Sequence, residues 1–298
     1  MAYSVVTSVL CAAASQDLTD LATVRDELSI AVGDTSSDAW LGRAISQVSA
    51  SIATYTNRVF APERVIDVLD IQQDPYPYQT PGGFPQLQLS RHPVLSVGSV
   101  AQTLAAASSQ PLTVGVDFRT DPATGRLMRL NPFTGAGVAW EAAPVSVTYT
   151  AGFGALVQEA QTVPASPYQV TVSQAAAYSC DVGVSYASGA ALALVQGVPA
   201  PGQYAVARGV YTFNAADTAQ SLTFTYATAA IPLDLVDACL RLITGRFAAK
   251  DRDPNLILQE TPGVGTQRWW FGGAPGQKGP FPPDIQGLLD AYRTPTIA

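Results

Sequence analysis

Few side chains in this sequence could do chemistry, and their spacing points away from catalysis. The one histidine, His92, precedes Pro93 in a strand-rich stretch. A serine or cysteine nucleophile needs an imidazole beside it, and a zinc site needs several His or Cys side chains together. No serine motif, cysteine dyad or second histidine accompanies His92, so a structural or surface role is expected. Cys11, Cys180 and Cys239 are odd in number, far apart and without the paired spacing of a metal site, so they read as free thiols of a reducing compartment. Asp251 and Asp253 could offer oxygens to calcium, but no Glu stands where the loop would need its bidentate ligand, and a solvated helix end is the better reading. Gly263-Val264-Gly265 neither follows a strand nor opens a helix, which makes it a poor phosphate loop. The residues therefore imply no catalytic group, no cofactor and no metal, and the chain is not expected to be an enzyme.

What stands out is Trp269-Trp270-Phe271 in a segment rich in Gly and Pro, from Pro262 to Pro283. Three adjacent aromatics cannot all face one core, and Trp is favoured as an interface anchor. Either the segment folds back and buries them locally, or they order in an assembly; the surrounding glycines favour the second. A last short helix is expected from Asp284 to Tyr292, with Ile285, Leu288, Leu289 and Tyr292 on one side. Together with Arg293 these residues form the expected partner-binding segment. Removing 269–298 is expected to leave a folded protein that no longer docks.

The elements that must carry this segment divide by pattern. Leu41, Ala44, Ile45, Val48, Ile52 and Tyr55 recur in steps of three and four, which places them on one side of a helix over 34–57. Asp34, Thr35 and Ser36 are expected to cap its first turn, and Asp38 to favour the positive end of its dipole. Before it, after an apolar lead, Asp17 to Asp20 opens a helix bearing Leu21, Val24 and Leu28 and ending near Val32-Gly33. From Arg58 to Tyr149 short strands are expected around Val65–Ile71, Leu87–Ser90, Val94–Val100, 114–119, 126–130 and 145–149, most of them antiparallel. Residues 154–228 carry almost no charge and turn at regular intervals, which suggests a small all-β module. Helix returns at Pro232 with Leu235, Ala238, Cys239, Leu242 and Phe247, and stops at Pro254.

At 298 residues with 47% hydrophobic and 13% charged content, the chain is long enough for two or more folded domains. A net charge of -7 argues against a surface that grips nucleic acid, which needs clustered Lys and Arg. The lead has no Lys or Arg ahead of its apolar run, and no apolar run approaches the roughly 20 residues of a membrane span, so no membrane is expected and the compartment is cytoplasmic.

The order of these motifs resembles the head-to-tail connector, or adaptor, proteins of long-tailed bacteriophages. The likeness runs from Val24-Arg25-Asp26-Glu27-Leu28 through Asp38 to Tyr55-Thr56-Asn57-Arg58, then Leu89-Ser90-Arg91-His92-Pro93-Val94 with Val97 and Val100. It continues with Asp117-Phe118, Gly125-Arg126-Leu127, Val147 to Phe153, Ile231-Pro232 and the closing stretch from Pro283 to Arg293. It covers the chain outside 154–228, which departs from the family by intervening between the Thr-Ala-Gly-Phe strand and the third helix. The resemblance implies an α+β protein: an adaptor core of residues 1–153 and 229–298, with a helical bundle and an antiparallel sheet region, and an inserted sandwich-like all-β domain at 154–228. It also implies a structural virion protein that assembles in the host cytoplasm and stands in the neck as a dodecameric ring. Portal protein would lie above and stopper or tail-completion protein below. Genomic DNA would pass the lumen without specific binding, and 269–293 would lodge against portal. The alternative, from another class, is a phage binding or decoration protein whose β insert recognises a carbohydrate or host surface.

Overall fold

The structure, a computed structural model, describes residues 4–71, 86–104, 108–250, 258–261, 265–268 and 281–294. It is α+β, with several mostly antiparallel sheets and four helices among the described residues. The chain forms two compact units, one built on Ala61–Ala230 with the lead before Gln16, the other on Gln16–Phe60 and the chain from Ile231.

In the β unit, β1 (Ser4–Cys11), β2 (Glu63–Asp70), β3 (Gln86–Gln88), β4 (Val94–Leu104), β5 (Ser108–Leu112), β6 (Phe118–Asp121), β7 (Arg126–Arg129) and β8 (Val145–Ala151) make two sheets. Their orders are β1-β2-β8-β4-β5 and β3-β7-β6. Strand geometry sends alternate side chains to opposite faces. In β2 the inward set is Glu63, Val65, Asp67 and Leu69, and in β8 it is Val145, Val147 and Tyr149. These apolar side chains join Leu87, Phe118, Leu127 and Trp140 in one core. Full burial of such side chains stabilises by about 1.5–3 kcal/mol each.

The apolar lead is a strand. β1 pairs antiparallel with β2 from Ser4 opposite Asp70 to Cys11 opposite Arg64, at the edge of its sheet. Val6 and Leu10 remain 62% and 48% exposed, so backbone pairing rather than burial holds it. Its pattern shows no inward face, which is why the sequence did not separate it from a tail. The Thr-Ala-Gly-Phe stretch needs its glycine: Gly152 has φ +143°, and a Cβ there would sit 2.5 Å from the Cα of Pro62.

Residues 154–228 contain β9 (Gly154–Thr162), β10 (Gln169–Thr171), β11 (Tyr178–Tyr186), β12 (Ala193–Leu194), β13 (Gln203–Ala207), β14 (Val210–Phe213) and β15 (Ser221–Ala229). They make sheets β11-β15-β9 and β10-β14-β13-β12. Tyr211 and Phe213 of one meet Phe224 of the other edge-on, with ring centroids 5.0 and 5.9 Å apart. The core here, from Val163 to Tyr226, is separate from the first. Arg208 and Gly209 (φ 49° and 78°) form the two-residue turn between β13 and β14, with left-handed backbone at both positions as such hairpins require. β9 was not expected. It is an edge strand whose partly buried face carries polar Glu159 and Gln161 after Val157, which breaks the apolar alternation.

In the helical unit, α1 (Leu21–Glu27) is capped by Asp20, whose side chain accepts from the Thr23 amide at 2.8 Å. It stops short of the expected Val32-Gly33 because Ser29 turns left-handed (φ 54°), and Val32 is fully exposed. α2 (Asp38–Thr56) buries Leu41, Ala44, Ile45, Val48, Ser49, Ile52 and Thr56 and ends at Asn57 in the left-handed conformation. Its expected side-chain cap is not formed. Asp34 turns back to the Ser36 amide, and Asp38 pairs with Arg25 at 2.6 Å. Tyr55, expected in the buried stripe, is only partly covered. α3 (Leu233–Ala248) buries Leu235, Ala238, Cys239 and Ile243, with Leu242 and Phe247 partly covered. β16 (Leu258–Thr261) and β17 (Gly265–Arg268) form a hairpin, and α4 (Pro283–Asp290) follows. Ser49 ties three pieces together, accepting from the Leu18 amide at 3.0 Å and lying 3.9 Å from the Cys239 thiol.

Candidate partner-binding segment

The segment expected to meet a partner divides into a part with known placement and a part without. Trp269, Trp270 and Phe271 lie outside the described residues, as do Asp251 and Asp253. The backbone on either side is placed: β17 ends at Arg268, and Phe281 is buried. From Phe281 onward the chain is fastened to the helical unit. Ile285 (4% exposed) and Leu289 (0%) face inward, Leu288 and Tyr292 are half-buried, and Arg293 is exposed.

The fastening is aromatic and acidic. The Phe281 ring stands edge-on to Tyr55 at 5.3 Å, the Arg293 guanidinium lies 5.4 Å over that Tyr55 ring, and the Tyr55 hydroxyl donates to Asp290 at 2.6 Å. The Tyr292 hydroxyl donates to both oxygens of Asp234 at 2.8 and 2.7 Å, and its ring meets Phe60 at 6.1 Å. The Thr294 amide closes on the Thr56 carbonyl at 2.9 Å. Burial, then the hydrogen bond and charge of Asp234, push the Tyr292 phenol up to about 12. The bond to Asp290 likewise raises that of Tyr55. Both tyrosines are therefore neutral donors at ordinary pH, as these contacts need.

This placement alters one expectation. Apolar Ile285 and Leu289 are already used inside the unit, so removing 269–298 would open part of its core as well as a docking segment. Of the residues expected at the interface, Leu288 is half-buried and Arg293, over Tyr55, is exposed, and Leu233 of α3 is 84% exposed.

A cleft of about 290 Å³ on the three-stranded sheet is lined by Gln86, Arg119, Thr120, Asp121, Arg126 and Met128. Asp121, its carboxylate, accepts from the Thr124 hydroxyl at 2.6 Å, the bond that lowers its pKa. Such a group is held ionised and is no general acid. Among the described residues no three His, Cys, Asp or Glu side chains are grouped as metal ligands, and no helix is long and apolar enough to cross a membrane. Sequence reasoning missed one grouping: Cys11 and Cys180, distant in the chain, come together beside Asp181. The Asp181 amide donates to the Cys11 sulfur at 3.4 Å. Only the unexpected pairing of β1 could have signalled it.

No protein-family model matches the chain, and no curated protein matches it. Among solved structures it is similar to a chain in the neck of an empty gene transfer agent particle computed with C6 symmetry. Identity is 15%, the TM-score is 0.42, and 100% of this chain and 98% of that chain are covered. The same identity, coverage and TM-score hold for a chain of the virion of a native gene transfer agent particle. For a chain of the native neck computed with C12 symmetry the identity is 16% and the TM-score 0.38, with the same coverage. Likeness this distant assigns no function.

Proposed function

We propose that the chain is a structural protein of a phage-type virion neck. In this reading it is a head-to-tail adaptor without catalytic activity, forming a dodecameric ring beneath the portal, with stopper or tail-completion protein attached below. The observation that carries this reading is the fit between the adaptor-like motifs and the ends of elements. Tyr55 to Arg58 closes α2 at a left-handed Asn57, Gly152 makes the close approach to Pro62, Pro232 opens α3, and Pro283 opens α4. α2 touches α1, α3 and α4, which supports reading the helices as a bundle. In this reading residues 154–228 are an inserted sandwich-like domain and 1–153 with 229–298 the adaptor core, which the separate buried cluster from Val163 to Tyr226 supports. Insertion at such a surface loop costs little, because closure entropy grows slowly with length. A net charge of -7 suits a lumen where DNA slides and is not held.

In this reading portal protein meets Trp269, Trp270 and Phe271 together with Leu288 and Arg293, while Ile285, Leu289 and Tyr292 hold α4 against the helical unit. Electron microscopy and mass photometry of the purified protein, with and without portal, test it. Rings that join portal are the expected result. Monomers that never associate with portal at any concentration overturn it. Leu288→Glu is expected to weaken portal association at least tenfold while leaving the melting temperature nearly unchanged, roughly the cost of desolvating a charge at an interface.

A further inference from the structure

The lead strand and the β-rich segment are joined by a thiol pair as well as by backbone. After β1 the Ala14 amide donates to the Ser179 carbonyl at 2.7 Å, and the Ser179 hydroxyl donates to the Pro62 carbonyl at 2.7 Å. These bonds bring the chain around Cys11 against residues 179–181 at the start of β11. The Asp181 amide then donates to the Cys11 sulfur at 3.4 Å, which brings Cys180, one residue earlier, beside that sulfur, and the Cys11 thiol itself points to the Ala12 carbonyl at 3.8 Å. Both cysteines are free. Cys11 is half-buried, whereas Cys180 is fully buried.

We infer that Cys11 and Cys180 are a reactive dithiol that closes to an intramolecular disulfide when the folded protein meets a small-molecule disulfide. The division of labour follows from environment. The hydrogen bond from Cys180 holds the Cys11 thiol down to about 7, against burial and the Asp181 charge, while the same contact and burial push Cys180 up. Cys11 is the attacking thiolate. It attacks one sulfur of the reagent, whose S–S bond breaks and whose other half leaves as a thiolate that takes a proton. Cys180 then loses its proton and attacks the Cys11 sulfur, expelling the second half of the reagent. Two protein thiols are oxidised by two electrons and one disulfide is reduced to two thiols. The product staples the edge strand β1 to β11 and closes a long loop of chain, which constrains the unfolded state. The inference does not depend on the neck assignment.

The test uses the full-length folded protein and oxidised glutathione. After treatment, alkylation in denaturant is expected to find one free thiol, Cys239, in place of three, and peptide mapping to find the Cys11 peptide joined to that of Cys180. The intact mass should fall by two hydrogens, and the thermal midpoint should rise and return on reduction. Cys180→Ser is expected to stop at a glutathione adduct on Cys11, and Cys11→Ser to leave Cys180 unmodified. Wild-type protein that stays fully reduced, that accumulates the adduct on Cys11 without closing, or that joins Cys239 or another copy overturns the inference. Those readouts on the wild type decide it even if a variant fails to fold.

Discussion

Two aspartates, Asp67 and Asp181, are fully buried in the β unit, each beneath tyrosine hydroxyls, and the surroundings of the two differ in an instructive way. Asp67 on β2 accepts four hydrogen bonds: from Thr7 at 2.7 Å, from the Ser90 amide and hydroxyl at 2.8 Å each, and from Tyr149 at 2.7 Å. Thr7 lies directly opposite it across the β1–β2 ladder, and Tyr149 is on β8, the other neighbour of β2. Asp181 on β11 accepts from Tyr204 at 2.6 Å and Tyr211 at 2.8 Å, on β13 and β14 of the facing sheet, and from the Gly183 amide. One carboxylate fixes register within a sheet; the other fixes the join between two sheets. A buried charge is tolerable in proportion to the donors it collects. With fewer of them, burial pushes the Asp181 carboxyl above its ordinary range despite the opposing pull of both tyrosines.

The largest expected effect is at Asp67. Replacing it by Ala takes the acceptor from Thr7, from the Ser90 amide and from the hydroxyl of Tyr149, which is 1% exposed and keeps only its 3.1 Å contacts to the Ser90 hydroxyl and the Arg91 amide. Buried donors without partners cost about 1–3 kcal/mol each, so Asp67→Ala should lose roughly 4 kcal/mol in a urea unfolding series. Asp181→Ala strands Tyr204 and Tyr211 but also removes an unfavourably buried charge, and the loss should be smaller, about 2 kcal/mol. An Asp181 variant less stable than its Asp67 counterpart would break the comparison.

Acidity offers a second test of Asp181. Because the folded-state pKa of Asp181 is raised above its ordinary 3.8, the native state binds this proton more tightly than the unfolded chain. Its contribution is complete below 3.8 and is lost as pH climbs through the elevated value. Unfolding midpoints of wild type and Asp181→Asn should therefore diverge as pH rises from 3.8, with the wild type declining relative to the variant. Parallel curves across that interval would mean that the carboxyl titrates normally.

The stretches that could be read from the sequence are those whose order is local. The α2 stripe is legible because Leu41, Ile45, Val48 and Ile52 repeat at the helical period, and the β13–β14 turn because Arg208-Gly209 accommodates left-handed backbone. Strand β1 was not, since an edge strand exposed on both faces carries no alternation. The two aspartates were equally hidden. Their partners, such as Thr7 for Asp67 and Tyr211 for Asp181, are distant in sequence, and no periodicity encodes a hydroxyl arriving from another strand. At the partner-binding segment, spacing placed Ile285, Leu288, Leu289 and Tyr292 on one side of a helix, but which of them turn inward depended on Tyr55, Phe60 and Asp234.

The smallest effect sharpens the register argument. Thr7→Val keeps the shape of the side chain and deletes one of the four donors to Asp67, leaving Ser90 and Tyr149 in place. The global cost should be about 1 kcal/mol, near the value of a single hydrogen bond. The local cost should be larger in proportion, because β1 buries little of its own surface and Thr7 is its one side-chain tie to Asp67 among the described contacts. Hydrogen exchange would then show the amides of β1 losing protection while those of β2 and β8 keep theirs. If β1 exchanges as slowly in the variant as in the wild type, the backbone ladder alone holds the strand. Asp67 would then fasten only β2, β8 and the Ser90 turn, and its role would lie closer to that of Asp181 than the geometry suggests.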